Sequence, residues 1–219
     1  AQAGWSEFTR LEAEGDILEA LPSLLARVAD VAQRRDAEVA KRKRPLTGLS
    51  EFPNLHETLP DRAAHPGGSD SVRRYGWAFE ELRDNPIDTP VFLATMGSVA
   101  AHTARASFIS NLLAAGGIDV VNLGAHESVD ALVASYTSPD GGQPVVCLVG
   151  NDAAYAESGA QAVSALRAAG ANWVMVAGKP GEDWQDVDPL FTDIIEKKGP
   201  SVLVRALAAR VPLAILTNN

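Results

Sequence analysis

The chain has 219 residues, a formal net charge of −9, one cysteine and 46% hydrophobic residues. That length fits one domain with a substantial extension, or two small domains. The composition excludes disorder throughout, a collagen-like repeat and a coiled-coil filament, and no apolar run approaches the roughly 20 residues that span a bilayer. Residues 1–88 carry 12 Lys/Arg against 16 Asp/Glu, and residues 89–219 carry 7 against 12. Neither half has the basic excess that nucleic-acid binding needs, so neither a nucleic-acid nor a membrane partner is expected. The opening AQAGWSEFTRLEAEG has no basic stretch followed by an apolar one, so no secretory signal is read there. Cys147, set among Val145, Val146 and Leu148, reads as buried core. Both features point to a reducing, cytoplasmic compartment. With no initiator methionine, a fragment or a processed chain is expected.

In chain order, Ile17, Leu18, Leu21, Leu24, Leu25, Val28 and Val31 form an apolar stripe, which predicts a long helix from Asp16 to about Arg42. Pro22 lies near its first turns, where proline costs least. Lys41–Arg44 is a basic run that suits the end of that helix. Pro45–Leu55 predicts a short extended segment with turns. His56–Ser71 reads as a linker, and Tyr75–Arg83 as a short helix. One long helix and one short strand cannot enclose a core. The stripe must therefore lie on the following domain, on a partner, or on a part of the protein beyond this chain.

From about Asp88 the pattern changes. Val91–Thr95, Ile118–Leu123, Val145–Val149 and Trp173–Ala177 predict buried parallel strands. Between them, His102–Ala115 predicts a helix with Ala104, Phe108, Leu112 and Ala115 on one face. Val129–Tyr136 predicts a shorter helix, and Asp152–Ala169 a third. Gly116–Gly117 and Gly170 stop helices before the next strand. Leu190–Ile195 is read as a fifth strand and Val202–Leu207 as part of a last helix. The fold class is α/β, a doubly wound five-stranded parallel sheet of flavodoxin-like type. The organisation expected is 1–60, 61–87 as linker with a short helix, and 88–219 as the α/β domain.

The familiar loops for dinucleotides, phosphates, serine nucleophiles and paired redox thiols are missing. His56 and His65 fall in the linker, and no histidine has the spacing of a metal site. His126 lies at the rim after the second strand, where helix entry and capping nearby account for it. His102, in TMGSVAAHTARASF, is assigned to the loop after the first strand. That is the ligand edge of an open α/β sheet, where a neutral imidazole can hold a metal or cofactor. Such a ligand usually has its second nitrogen fixed by a carboxylate or carbonyl, and no Asp or Glu separates Val91 from Asp119. A plain loop or helix-start histidine is the preferred reading, and no metal is assigned. Glu182, Asp183, Asp186 and Asp188 read as a solvated acidic loop.

Three segments carry a resemblance: RKRPLTGLSEFPNL (Arg42–Leu55), RYGWAFEELRD (Arg74–Asp84) and TPVFLATMGSVAAHTARASFISNLLAAGGIDVVNLG (Thr89–Gly124). With Val145–Glu182 they resemble the C-terminal part of methylmalonyl-CoA mutases, and most the small, or beta, subunit of the bacterial heterodimeric enzymes. The resemblance implies a (β/α)₈ barrel whose last helix and strand are residues 1–60, followed by a cobalamin-binding-type α/β domain. In catalytic subunits of this family the first rim loop carries Asp-x-His-x-x-Gly. The His binds cobalt, the Asp orients it, and the Gly gives the cofactor room. Those positions fall on Ala100, His102 and Arg105, so only the His remains. The small residues after the third strand fall near Gly150 and Asn151, and the glycine pair after the fourth on Ala177 and Gly178.

The resemblance thus implies a non-catalytic subunit that binds no cofactor itself and pairs with the large catalytic subunit as a heterodimer. Adenosylcobalamin would act in the assembled enzyme, which interconverts methylmalonyl-CoA and succinyl-CoA. Two alternatives stay open. His102 could still ligate cobalamin as its lower ligand. Otherwise the rim (Met96–Val99, Gly124–Glu127, Gly150–Asp152, Gly178–Gly181) could serve a small-molecule-binding regulatory module.

Overall fold

The structure is a computed structural model, and it describes residues 1–58, 60–61, 72–84, 89–182, 184 and 187. Four strands, β1 (Val91–Thr95), β2 (Val120–Val121), β3 (Val145–Val149) and β4 (Trp173–Val176), form a parallel sheet in the order β2-β1-β3-β4. β1 pairs Leu93 with Cys147 of β3, and β3 pairs Cys147 with Met175 of β4. β1 is buried at every position because helices cover both sides of the sheet. Alternation along the strands then separates two cores. Val91, Leu93, Cys147 and Met175 face Ile109, Leu112 and Leu113 of α4 (Val99–Ala115). Phe92, Ala94, Val146 and Leu148 face Leu132 and Tyr136 of α5 (Val129–Tyr136) and Val163 and Leu166 of α6 (Asp152–Ala168).

The helix expected from His102 begins at Val99, with Ser98 as its N-cap residue. His102 is therefore in the first turns of α4 and not in the loop before it. Val99, Ala100 and Ala101 continue a helix once Ser98 has turned the chain. Of the expected face, Leu112 and Ala115 are buried. Ala104 and Phe108 are exposed, and the buried row runs through His102, Ala106, Ile109 and Leu113 with Leu112. This helix is apolar nearly all round, so periodicity alone could not choose its inner side.

The expected second strand shrinks to two residues. Ile118 completes the turn after α4, its N–H donating to Leu113 O at 3.0 Å, while Asn122 Oδ1 accepts from Gly124 N–H at 3.1 Å and turns the chain out of the sheet. The fifth strand and last helix expected beyond Leu190 lie outside the described residues.

Before the sheet come α1 (Gln2–Ala13), α2 (Ile17–Ala40) and α3 (Trp77–Asp84). α1 was not legible from the pattern. α2 starts where Asp16 Oδ1 accepts the N–H groups of Leu18 and Glu19 at 2.8 and 3.1 Å. It ends at Ala40, so Lys41–Arg44 lies past the helix and not in its last turn. Arg42 instead turns back with φ 55° and binds Glu51 Oε1 through Nε and Nη2 at 2.9 and 2.6 Å. Glu51 also accepts from Asn111 Nδ2 of α4 at 2.5 Å, and Asn111 Oδ1 accepts from Phe52 N–H at 2.6 Å. The Arg42 guanidinium sits 5.6 Å from the Phe108 ring centre, so the exposed side of α4 is where the 41–54 segment is seated. That segment is turns with a single bridge, Thr47 to Glu51, rather than an extended strand.

Much of the apolar stripe of α2 is uncovered among the described residues. Leu18, Leu25, Val28 and Val31 each expose more than half of their surface. Leu25→Ala should change stability by no more than about 0.5 kcal/mol. Leu112→Ala, whose side chain is fully buried in the α4 core, should cost about 3 kcal/mol. Urea denaturation of the two variants checks the contrast.

Candidate functional site

At the carboxyl edge, β1 and β3 lie side by side, and the chain leaves them towards opposite faces. The exit from β1 leads to α4 on one face, and the exit from β3 leads to α6 on the other. This divergence opens a crevice, the usual ligand position in such sheets. Four groups meet beside it: His102, Arg105, Tyr155 and the Gly150 and Gly178 turns.

Tyr155 comes from the first turns of α6, which Asn151 caps by accepting from Ala154 N–H at 2.9 Å. Its ring is buried, and its hydroxyl accepts from Gly150 N–H at 3.1 Å. The hydroxyl proton is shared between the carbonyls of Leu148 and Ala177, at 3.0 and 2.9 Å. One phenol therefore ties the ends of β3 and β4 together. Burial pushes its pKa up, with a smaller contribution from Cys147, while Gly150 N–H and Arg105 oppose the shift.

Arg105, one turn beyond His102 on α4, reaches across to these strand ends. Its Nη1 donates to Gly150 O and its Nη2 pairs with Asp152 Oδ1, both at 2.5 Å. Its Cζ lies 5.0 Å from the Tyr155 ring centre. Gly178, at φ +134°, lets the guanidinium lie against the backbone, because a Cβ there would come within 3.2 Å of Arg105 Cζ. Gly150 is equally tight, with Met96 Cβ 3.1 Å and Tyr155 Cε1 3.2 Å from where its Cβ would be.

His102, one turn before Arg105 on α4, is buried, and its Nδ1 has no hydrogen-bond partner among the described residues. Ala100 is exposed in the first turn of α4 and offers no polar atom to the imidazole. The structure thus brings His102, Arg105, Gly150 and Gly178 to one edge of the sheet. Tyr155 is the residue that joins Arg105 to the Gly150 and Gly178 turns. An aromatic four residues after a strand-end Gly-Asn pair was the only signal it offered.

The other histidines are apart from this edge or differently used. His56 is exposed and its Nε2 is 3.4 Å from Asp119 Oδ2. His65 lies outside the described residues, as do Asp183, Asp186 and Asp188. His126 is buried and bonded to Thr95, and the cap of α5 is Ser128, which accepts from Ala131 N–H at 3.1 Å. No group of three His, Cys, Asp or Glu side chains among the described residues converges as a metal site.

No family model matches the chain. Curated relatives do. It is 40% identical over 204 residues, 86% of this chain, to the methylmalonyl-CoA mutase small subunit of Streptomyces virginiae. It is 38% identical over 188 residues, 81% of this chain, to a Mycobacterium bovis protein named "Probable methylmalonyl-CoA mutase small subunit". The small subunit from Propionibacterium freudenreichii subsp. shermanii is 30% identical over 204 residues, 87% of this chain. This chain belongs to the methylmalonyl-CoA mutase small-subunit family. It spans only 29 to 32% of the length of these relatives. Among the described residues, no helix of this family member is long and apolar enough to cross a membrane.

Two outcomes test the edge. Tyr155→Phe leaves Gly150 N–H without its acceptor and should cost about 1–3 kcal/mol in urea denaturation. Burial also pushes the Cys147 thiol up. In the fold both groups hold their protons above their ordinary values of 9.0 for the thiol and 10.0 for the phenol. The unfolded chain then binds fewer protons in that range, so stability is full below it and falls as pH rises through it. Tyr155→Phe should flatten the tyrosine part of that fall. Cys147 in the native protein should resist a thiol reagent at neutral pH and react once the protein is unfolded.

Proposed function

We propose that this chain is the C-terminal region of a non-catalytic small subunit of an adenosylcobalamin-dependent mutase. Its role is association with, and support of, a large catalytic subunit that interconverts methylmalonyl-CoA and succinyl-CoA. On this reading residues 1–60 are the end of a (β/α)₈ barrel. The uncovered stripe of α2 is the surface that the rest of that barrel packs against, which supports the reading.

The observation that carries the cofactor-free part is the place of Arg105. The corrin would supply radical chemistry if bound, but the residues at this edge do not fit it. The guanidinium lies on Gly178 and is bonded to Gly150 O and Asp152, where a cofactor needs open backbone. The imidazole of His102 has an unpartnered Nδ1, so among the described residues no acidic or carbonyl group sets its orientation. A buried imidazole without that support is a poor cobalt ligand. No catalytic step is assigned to this chain; its residues pack, pair and close the rim.

The test is the visible spectrum of hydroxocobalamin mixed with the chain. No change is expected for the natural sequence. Arg105→Gly, which removes the guanidinium from Gly178, should raise the affinity for cobalamin, and an unchanged affinity counts against Arg105 as the obstacle. Imidazole ligation by the natural sequence overturns the proposal. Co-purification with a catalytic mutase subunit, with cobalamin counted per subunit, checks the partner.

A further inference from the structure

Far from the sheet edge, the stretch before α3 is zipped onto the second half of α2. Arg73 Nη2 pairs with Asp36 Oδ2 at 2.9 Å, and its Cζ lies 4.0 Å from the Trp77 ring centre. Arg35 Cζ lies 3.8 Å from the Tyr75 ring centre. Four arginines belong to these two stretches. Arg34 is paired with Asp30, Arg73 with Asp36 and Arg74 with Glu80, each at 2.9 Å. Arg35 is the exception: no carboxylate among the described residues pairs with it.

The half-buried Arg35 guanidinium is poorly compensated. Its Nε is sealed from solvent and has no hydrogen-bond partner. A buried donor without an acceptor is costly, and native folds hold few of them. Nη1 and Nη2 have no partner either, but they reach solvent. The Tyr75 ring holds the guanidinium plane from one side, and Tyr75 is 53% exposed with no hydrogen bond from its hydroxyl to a described residue. The structure therefore presents a planar fork of two N–H groups, fixed on an aromatic face, beside a free O–H donor. Its inner edge is withdrawn from water, so an anion at the outer edge recovers more than it would at a fully solvated arginine.

We infer that Arg35 and Tyr75 form a receptor for a monoanionic carboxylate, whose two oxygens accept from Nη1 and Nη2 of Arg35 and from the Tyr75 hydroxyl. A carboxylate matches the guanidinium fork in plane and spacing. Charge selects the monoanion: the four arginines have three carboxylate partners, so one positive charge is left to balance. A dianion would place its second charge near Asp36, the chain neighbour of Arg35. The carboxylate comes either from a free small acid or from an acidic side chain of a docked chain. The inference is independent of the cobalamin question.

Nitrogen-15 NMR of the full chain decides it, with acetate exchanged for chloride at constant ionic strength and the Arg35 Nε–H resonance followed. Acetate and Nα-acetyl-aspartic acid methylamide should both give a saturable shift, and the uncharged isostere acetamide should give none. Tyr75→Phe keeps the ring under the guanidinium and should weaken acetate binding about threefold or more. Arg35→Lys keeps the charge without the fork and should abolish saturation, read at the Tyr75 ring resonances. Tighter binding of the aspartate derivative assigns the site to a docked chain, and tighter binding of acetate to a free acid. A shift that does not saturate, an equal response to acetamide, or unchanged affinity in Tyr75→Phe and Arg35→Lys overturns the inference.

Discussion

The carboxyl edge of this sheet depends on one phenol. Tyr155 binds Gly150 N–H and shares its proton between Leu148 O and Ala177 O, so the ends of β3 and β4 cannot separate without leaving buried backbone groups unpaired. Arg105 rests on that platform. Its ion pair with Asp152 contributes little, because Asp152 is exposed and such pairs yield about 0–1 kcal/mol. The bond to Gly150 O and the contact over the Tyr155 ring hold the guanidinium in place. The rim between β3 and β4 is thus occupied by the protein's own side chain.

The N-terminal segment is attached by a different kind of contact. Arg42, Glu51 and Asn111 form a small polar network against the outer side of α4. Arg42 and Phe52 take φ of 55° and 52° to reach it, conformations that cost energy for residues other than glycine. Beneath it Val39, Phe79 and Ala115 form a small third core with Leu46 and Leu49. This seat is modest beside the two cores of the sheet. It holds the turns after α2, while the apolar side of α2 itself faces outward.

Strand and helix spacing was readable wherever apolar residues recur with a single period. Val91–Thr95 and Val145–Val149 are buried on both faces and read as continuous runs, and α5 and α6 carry clear helical stripes. The reading failed where the period is ambiguous or local bonds decide. α4 is apolar nearly all round, so its pattern places Leu112 and Ala115 on the inner face but not His102, Ala106 and Ile109, and does not mark its start at Val99. β2 is shortened by the Ile118 turn and by Asn122, which no hydrophobic count registers. At the candidate site, His102, Arg105, Gly150 and Gly178 were named from the resemblance to mutase cobalamin domains. Tyr155 was not, because its role lies in three backbone groups drawn from two strands.

The amino-acid sequence by itself determined the α/β class, the acidic charge balance that argues against nucleic acid, the apolar stripe of α2 and the family resemblance. These are properties of composition and of near neighbours along the chain. Only the tertiary structure decided that Arg105 lies across the ends of β3 and β4, that the Nδ1 of His102 is buried with no partner among the described residues, and that His126 is bonded to Thr95. Each of these depends on groups about thirty to seventy positions apart meeting at one edge, and the orientation of a side chain across such a gap is set by the packing of the sheet, not by its sequence neighbours.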